Sequence, residues 1–201
     1  MQFSVHSLDI SQETEVGDGV FSTPIDGMFA FPVSPNEDDR GFFAEVGKIP
    51  RFDTQLDKPF VIKQINHARS KKNVTRGFHA EDWNKLITVT NGVCFSAIAD
   101  IRSDSPTFGT AVTLEFGYGE NSFFGSIFLP RRVANSVCTL TEQLDYLYAV
   151  DKLYEERDPA GDTALSLFDE SVGITWPISK EEMILSVRDT DAVSLAELLE
   201  S

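Results

Sequence analysis

The sequence predicts a mainly β protein, a sandwich or barrel. Short apolar runs recur at roughly regular spacing through the middle of the chain. These runs are rich in Phe and Val, which suit a pleated, half-buried surface. Gly, Asn and Pro mark the joins, where turns require them. The best helical signals come only near the C-terminus.

In chain order, residues 1–20 read as loosely structured, with an edge strand at Phe3–Leu8. Gly27–Val33 is a strand, Pro35–Asp39 a turn and Arg40–Val46 another strand. Val61–His67 alternates apolar and polar residues like a half-buried strand. Ser70–Asn73 then reads as a turn, and Val74–His79 starts a second strand. Leu86–Val89, Val93–Asp100, Gly109–Glu115, Ser126–Leu129, Ser136–Thr139 and Leu144–Val150 continue the pattern. Ser179-Lys-Glu-Glu opens a turn. Ser194 and Glu197 form a capping box for a short C-terminal helix. There are no repeats, low-complexity segments or linkers. The 201 residues therefore predict one domain, 1–201, with its core in about residues 25–190.

Composition narrows the partners. With 32 acidic and 17 basic residues the net charge is −15. Nucleic acid and anionic membranes require a broad positive face, so neither is expected as a partner. A small anion needs only a few local cations and remains open. Cys94 and Cys138 lie in apolar strand-like runs and read as reduced core residues. The N-terminus lacks the cationic start and apolar run of a signal peptide, and no run approaches the roughly 18 residues of a membrane span. The expected compartment is the cytoplasm.

Gln64–Lys85 is the stretch richest in chemistry. It holds His67 and His79, two of the three histidines. Between Lys58 and Ala80 there are six Lys/Arg and no Asp or Glu. On composition alone this is a solvated basic loop. The residue order offers another reading: Gln64, Asn66, Arg76 and His79 point into one cavity from neighbouring strands, presenting two amides, a fixed cation and a proton acceptor. Gly117-Tyr-Gly-Glu matches no phosphate loop or dinucleotide fingerprint. No Ser, Cys or Thr sits in a recognisable nucleophile setting. Three histidines without a His-x-His pair make a metal site unexpected.

Several motifs now fall in order: Asp39-Arg-Gly-Phe-Phe-Ala-Glu45, Gln64-Ile-Asn-His67, Val74-Thr-Arg-Gly-Phe-His79, Asp100-Ile-Arg102, Ser105-Pro-Thr-Phe-Gly109, Leu129-Pro130, Leu147-Tyr148, Gly173-Ile-Thr-Trp-Pro177 and Leu185-Ser-Val-Arg-Asp189. Each is weak alone. As an ordered set from about Pro32 to Asp189, they resemble the dTDP-4-dehydrorhamnose 3,5-epimerases of the metal-free cupin superfamily.

The resemblance implies a cupin-like double-stranded β-helix, or jelly roll, with a short helical C-terminus. It implies a homodimer whose N-terminal strands cross to the partner, a nucleotide-sugar substrate, and neither metal nor redox cofactor. His79 matches the base that removes the proton beside the sugar's keto group, and Asp189 the aspartate paired with it. Lys85 matches the lysine that stabilises the enolate, and Tyr148 the acid on the opposite face. Arg40, Gln64, Asn66 and Arg76 match positions that bind the nucleotide diphosphate or shape the pocket. Glu45 closes the opening motif and is grouped with them, and Tyr154 matches a second tyrosine near the nucleotide.

The chemistry fits these roles. Histidine titrates near the working pH, and positioned acid–base catalysis contributes about 10²–10⁴-fold. An aspartate on the other ring nitrogen fixes the tautomer. A lysine at the developing oxyanion supplies electrostatic stabilisation. Three positions depart from the family pattern: Asn135-Ser136 stands for the usual His-Gly, Glu81 for Gln and Ala149 for Lys. The His79–Lys85 loop is also short. The expected activity is inversion at C3, C5 or both of a nucleotide-linked 4-keto-6-deoxy sugar, in deoxysugar biosynthesis for a surface polysaccharide. The alternatives are a single-carbon epimerase, a ketoisomerase, or a non-catalytic sugar-nucleotide-binding cupin.

Overall fold

The computed structural model describes residues 1–49, 53–158 and 161–200. Their strands are β1 (Ser4–Ser7), β2 (Glu15–Gly17), β3 (Val20–Ser22), β4 (Phe29–Pro32), β5 (Asn36–Asp38), β6 (Gly41–Phe43), β7 (Gln64–Lys71), β8 (Thr75–Ala80), β9 (Lys85–Asn91), β10 (Val93–Asp100), β11 (Thr110–Gly117), β12 (Gly125–Leu129), β13 (Val133–Thr139), β14 (Gln143–Val150) and β15 (Thr163–Ala164). Six form one sheet in the order β1-β11-β10-β13-β8-β15, and seven form a second in the order β2-β3-β4-β12-β9-β14-β7. From β7 to β15 the chain changes sheet at every connection except β10–β11. This is the sandwich that the strand spacing predicts and the cupin-like jelly roll that the resemblance implies. Among the described residues helix is confined to short pieces, including α1 (Val187–Thr190) and α2 (Leu195–Glu200) near the C-terminus. No helix among the described residues is long and apolar enough to cross a membrane.

Alternation along each strand sorts the core. In β10, Cys94 and Ile98 face inward, packing with Ile87, Val89, Val112, Ile127 and Leu144 between the sheets. Ala97 and Ala99 face outward, where Leu165, Leu167, Val172 and Leu195 of the C-terminal segment cover them. β10 is thus buried on both faces, which explains its nearly unbroken apolar run. A third cluster, including Val20, Phe60, Leu86 and Phe128, covers the outer face of the seven-stranded sheet. Cys94 and Cys138 are buried free thiols, and burial pushes both up from the ordinary thiol range.

The structure corrects several expectations. The edge strand expected at Phe3–Leu8 is present as β1, parallel to β11 at the sheet edge, but the rest of residues 1–20 is not all loose: β2 pairs with β3. Both are pairings within this chain. Asn36–Asp38 is strand, not turn; it pairs with Gly41–Phe43 in a separate hairpin whose turn falls at Asp39–Arg40. Six exposed residues make up that hairpin, so neither strand has a buried face to announce it. Strand β7 continues through Ser70 and Lys71, and Asn73 (φ 66°) makes the turn. β7 and β8 also lie in opposite sheets, not side by side, so the Gln64–Lys85 stretch spans the sandwich. At the C-terminus, Ser194 and Glu197 form the expected cap: the Ser194 N–H donates to Glu197 Oε2 at 2.8 Å and Glu197 N–H returns to Ser194 Oγ at 3.3 Å.

Candidate active site

At one end of the sandwich the inward positions change from apolar to polar. On β9, Lys85 precedes Ile87 and Val89; on β14, Tyr146 and Tyr148 follow Leu144; on β13, Asn135 lies between Val133 and Val137. These side chains line a cavity of about 290 Å³ between the sheets. Core strands therefore carry its floor. Edge strand β7 adds Asn66, Ala68 and Ser70 by strict alternation, while His67 and Arg69 on its other face bind Asp145 outside the cavity.

β8 contributes Arg76 and His79. Residues three apart on a regular strand face opposite ways. Here the ladder to β13 pairs His79 with Asn135 and Arg76 with Val137, so three steps on β8 match two on β13. The extra residue falls at Gly77 (φ 122°), where an added Cβ would lie 2.5 Å from Ser136 Cβ and 2.6 Å from the Asn135 carbonyl oxygen. Only glycine fits this close crossing.

His79 Nε2 lies 2.6 Å from Asp189 Oδ1. Asp189 reaches it because Ile184 bridges to the start of β8, with Thr75 N–H donating to the Ile184 carbonyl at 3.0 Å. Ser186 then caps α1, accepting from Asp189 N–H at 3.2 Å and donating its hydroxyl to Asp189 Oδ2 at 2.6 Å. Burial alone would raise the Asp189 carboxyl. The bonds from His79 and Ser186, the attraction of His79 and the Gly77 N–H outweigh it and hold Asp189 at about 2. An ionised Asp189 accepts from Nε2–H and leaves the ring's lone pair on Nδ1.

Lys85, 6% exposed, is held from two sides. Its Nζ donates to Asn135 Oδ1 at 2.7 Å and pairs with the Glu81 carboxylate. Glu81 also accepts from Trp83 Nε1 at 3.2 Å and lies 3.8 Å from Arg157 NH1. Burial raises Glu81, but Lys85, His79 and Trp83 together hold it below the usual carboxylate range. Tyr148 stands opposite His79, on the other sheet. Burial and the nearby Glu81 raise its hydroxyl above the usual tyrosine value, against smaller opposing effects of Arg157 and Arg76.

The cavity rim is cationic. Arg76, Arg157 and Arg188 line it, Arg157 stacked between Trp83 (4.5 Å to the ring centre) and Tyr154 (4.2 Å). Asn66 Nδ2 is buried without a hydrogen-bond partner. Gln64 stands behind the wall: its Nε2 donates to Asn66 Oδ1 at 2.7 Å and its Oε1 accepts from Tyr154 N–H at 3.0 Å.

Six of the ten residues singled out in the sequence line one cavity, namely Asn66, Arg76, His79, Lys85, Tyr148 and Tyr154, and two more, Asp189 and Gln64, stand directly behind it. Arg40 and Glu45 lie elsewhere. Arg40 is 89% exposed and pairs with Asp38 in the β5–β6 hairpin, and Glu45 pairs with Lys48. Sequence reasoning missed Trp83, Arg157, Arg188 and Tyr146 as cavity residues. Arg188 adjoins Asp189 in a motif already noted. Arg157 follows two glutamates; Tyr154 and Asp162, which it also meets, are near it in sequence, but Trp83 and Glu81, which bring it to the cavity, are distant.

The family model for dTDP-4-dehydrorhamnose 3,5-epimerase matches residues 22–197. The dTDP-4-dehydrorhamnose 3,5-epimerase of Salmonella typhimurium is 33% identical over 166 residues, 81% of this chain and 87% of that protein. The dTDP-4-dehydrorhamnose 3-epimerase of Streptomyces niveus is 27% identical over 177 residues, 86% of this chain and 82% of that one. Among solved structures, the Legionella pneumophila dTDP-6-deoxy-D-glucose-3,5-epimerase RmlC, in complex with dTDP-4-keto-L-rhamnose, superposes with a TM-score of 0.76 at 29% identity, covering 88% of this chain and 92% of that one. With its motifs in order on a jelly roll and the family model spanning residues 22–197, this chain belongs to the dTDP-4-dehydrorhamnose 3,5-epimerase family.

Proposed function

We propose that this chain inverts C3, C5 or both of a dTDP-linked 4-keto-6-deoxy sugar through an enolate, in deoxysugar biosynthesis for a surface polysaccharide. The observation that carries this reading is the placement of His79 and Tyr148 on opposite sheets across one cavity. Inversion requires a proton to leave one face of a carbon and another to arrive on the opposite face. His79 takes the first proton, with Asp189 stabilising the imidazolium. Lys85 bears the enolate oxygen. Tyr148, kept protonated by its burial, supplies the second proton. One proton leaves and one returns, so the reaction has no net redox change and requires no redox cofactor. Arg76, Arg157 and Arg188 suit the diphosphate, and Asn66 Nδ2 offers a donor to the ligand.

The chain acts as a single cytoplasmic catalytic domain, 1–201, and as a homodimer. In the dimer the Arg40–Glu45 segment of a second copy reaches this cavity. Support comes from the hairpin itself, which exposes Arg40 and leaves Phe42 and Phe43 45% and 66% accessible.

The test is incubation with a dTDP-4-keto-6-deoxyhexose in deuterated water, followed by NMR of the sugar. Deuterium entering with inversion at C3, C5 or both is expected. Within that reading, label at C3 alone would match the activity named for the Streptomyces niveus relative. Migration of the carbonyl would instead identify a ketoisomerase, and dTDP binding without label a non-catalytic binder.

A further inference from the structure

We propose that Glu81 is a positioning residue for Lys85, holding the ammonium on the cavity wall against the repulsion of the arginines that share it. This rests on the proposed epimerase reading and concerns how its enolate clamp is kept in place. Among the residues that line the cavity, Arg76, Lys85, Arg157 and Arg188 are cations and Glu81 is the carboxylate; Arg157 is also paired with Asp162 behind the wall. Asp189 stands behind His79 and is committed to it. Glu81 meets Lys85 Nζ directly, and its remaining contacts fix its orientation: Trp83 Nε1 at 3.2 Å on the same oxygen, and Arg157 at 3.8 Å from the other. Asn135 Oδ1, at 2.7 Å, holds Nζ from the opposite sheet. Two of the ammonium's three hydrogens are thereby engaged, and the third is left for a substrate oxygen. The site then has two parallel units. Asp189 orients the base, and Glu81 orients the oxyanion donor.

A residue that held only the fold would weaken binding and turnover together. A residue that holds Lys85 through charge separates them. Glu81→Gln installs the residue the family pattern usually has at this position, but here beside Asn135 in place of the usual His; it keeps the shape and an acceptor oxygen but removes the charge. It is expected to lower kcat by at least about tenfold, a loss in keeping with a misaligned oxyanion donor. Its dTDP affinity, set by the arginines, should be unchanged or tighter. The variant Glu81→Gln/Asn135→Asp moves the carboxylate to the other side of Nζ and is expected to recover several-fold in kcat over Glu81→Gln alone. Wild-type kcat in Glu81→Gln overturns the proposal, as does a double variant no faster than the single one. Solvent deuterium uptake by the wild type is measured alongside. If the wild type takes up no label, the epimerase reading itself fails; if it does and Glu81→Gln matches it, only the role of Glu81 fails.

Discussion

The carboxylate of Asp189 and the imidazole of His79 meet at 2.6 Å although 110 residues separate them. Asp189 is 2% exposed and held at about 2, so its charge is linked to folding. A carboxylate whose folded value lies below its ordinary 3.8 contributes stability that is fully present above pH 4. That contribution is lost as pH falls towards 2, and amounts to roughly 2 kcal/mol. Asp189→Asn should therefore be less stable than wild type at pH 7, with a gap that narrows between pH 4 and 2. Urea unfolding across that range measures it; a gap independent of pH would refute the linkage.

His79→Asn removes the base while leaving the cavity wall and its arginines. Turnover should fall by at least about 10²-fold, with dTDP affinity near the wild-type value. Exchange of sugar protons with solvent at the wild-type rate would show that another group acts as base.

Tyr148→Phe should divide the reaction into its halves. Proton removal needs only His79 and the Lys85 clamp, whereas inversion needs a proton from the opposite sheet. The variant should still exchange substrate protons from the His79 side and yield little inverted sugar. Its ring packs against the inter-sheet core, so stability should change by less than about 1 kcal/mol. Inversion at the wild-type rate would move the acid to another group.

Arg40 offers a test of the dimer. Arg40→Ala should weaken dTDP binding although the side chain lies outside the cavity of its own chain. Mixed with His79→Ala, it should regain activity, because each mixed dimer contains one site with both residues intact. Random pairing at equal amounts gives about a quarter of wild-type activity. No recovery on mixing, after confirmed subunit exchange, would place Arg40 outside the site.

The sequence made the strands of the sandwich legible because their two-residue alternation is local. From Val93 to Asp100 the predicted and observed bounds coincide. It missed β2 and β3, which are three residues each; among the described residues β2 pairs only with β3, and β3 leans on β4. The motif order named His79, Lys85, Tyr148 and Asp189 together, but no spacing could show that His79 and Tyr148 face each other from different sheets. Arg157 escaped notice for a related reason. Its stacking on Trp83 and its approach to Glu81 form only when distant segments meet.

The extra residue at Gly77 has a consequence for how lesions in this strand are diagnosed. Without the bulge, the only regular ladder open to β8 that keeps His79 inward turns position 77 inward as well and swings Arg76 out. A side chain at 77 would drive the strand that way. The base would survive, and the fault would show in a binding assay as a missing positive charge, although the arginine is still encoded. Genotype would point to glycine while phenotype points to its neighbour.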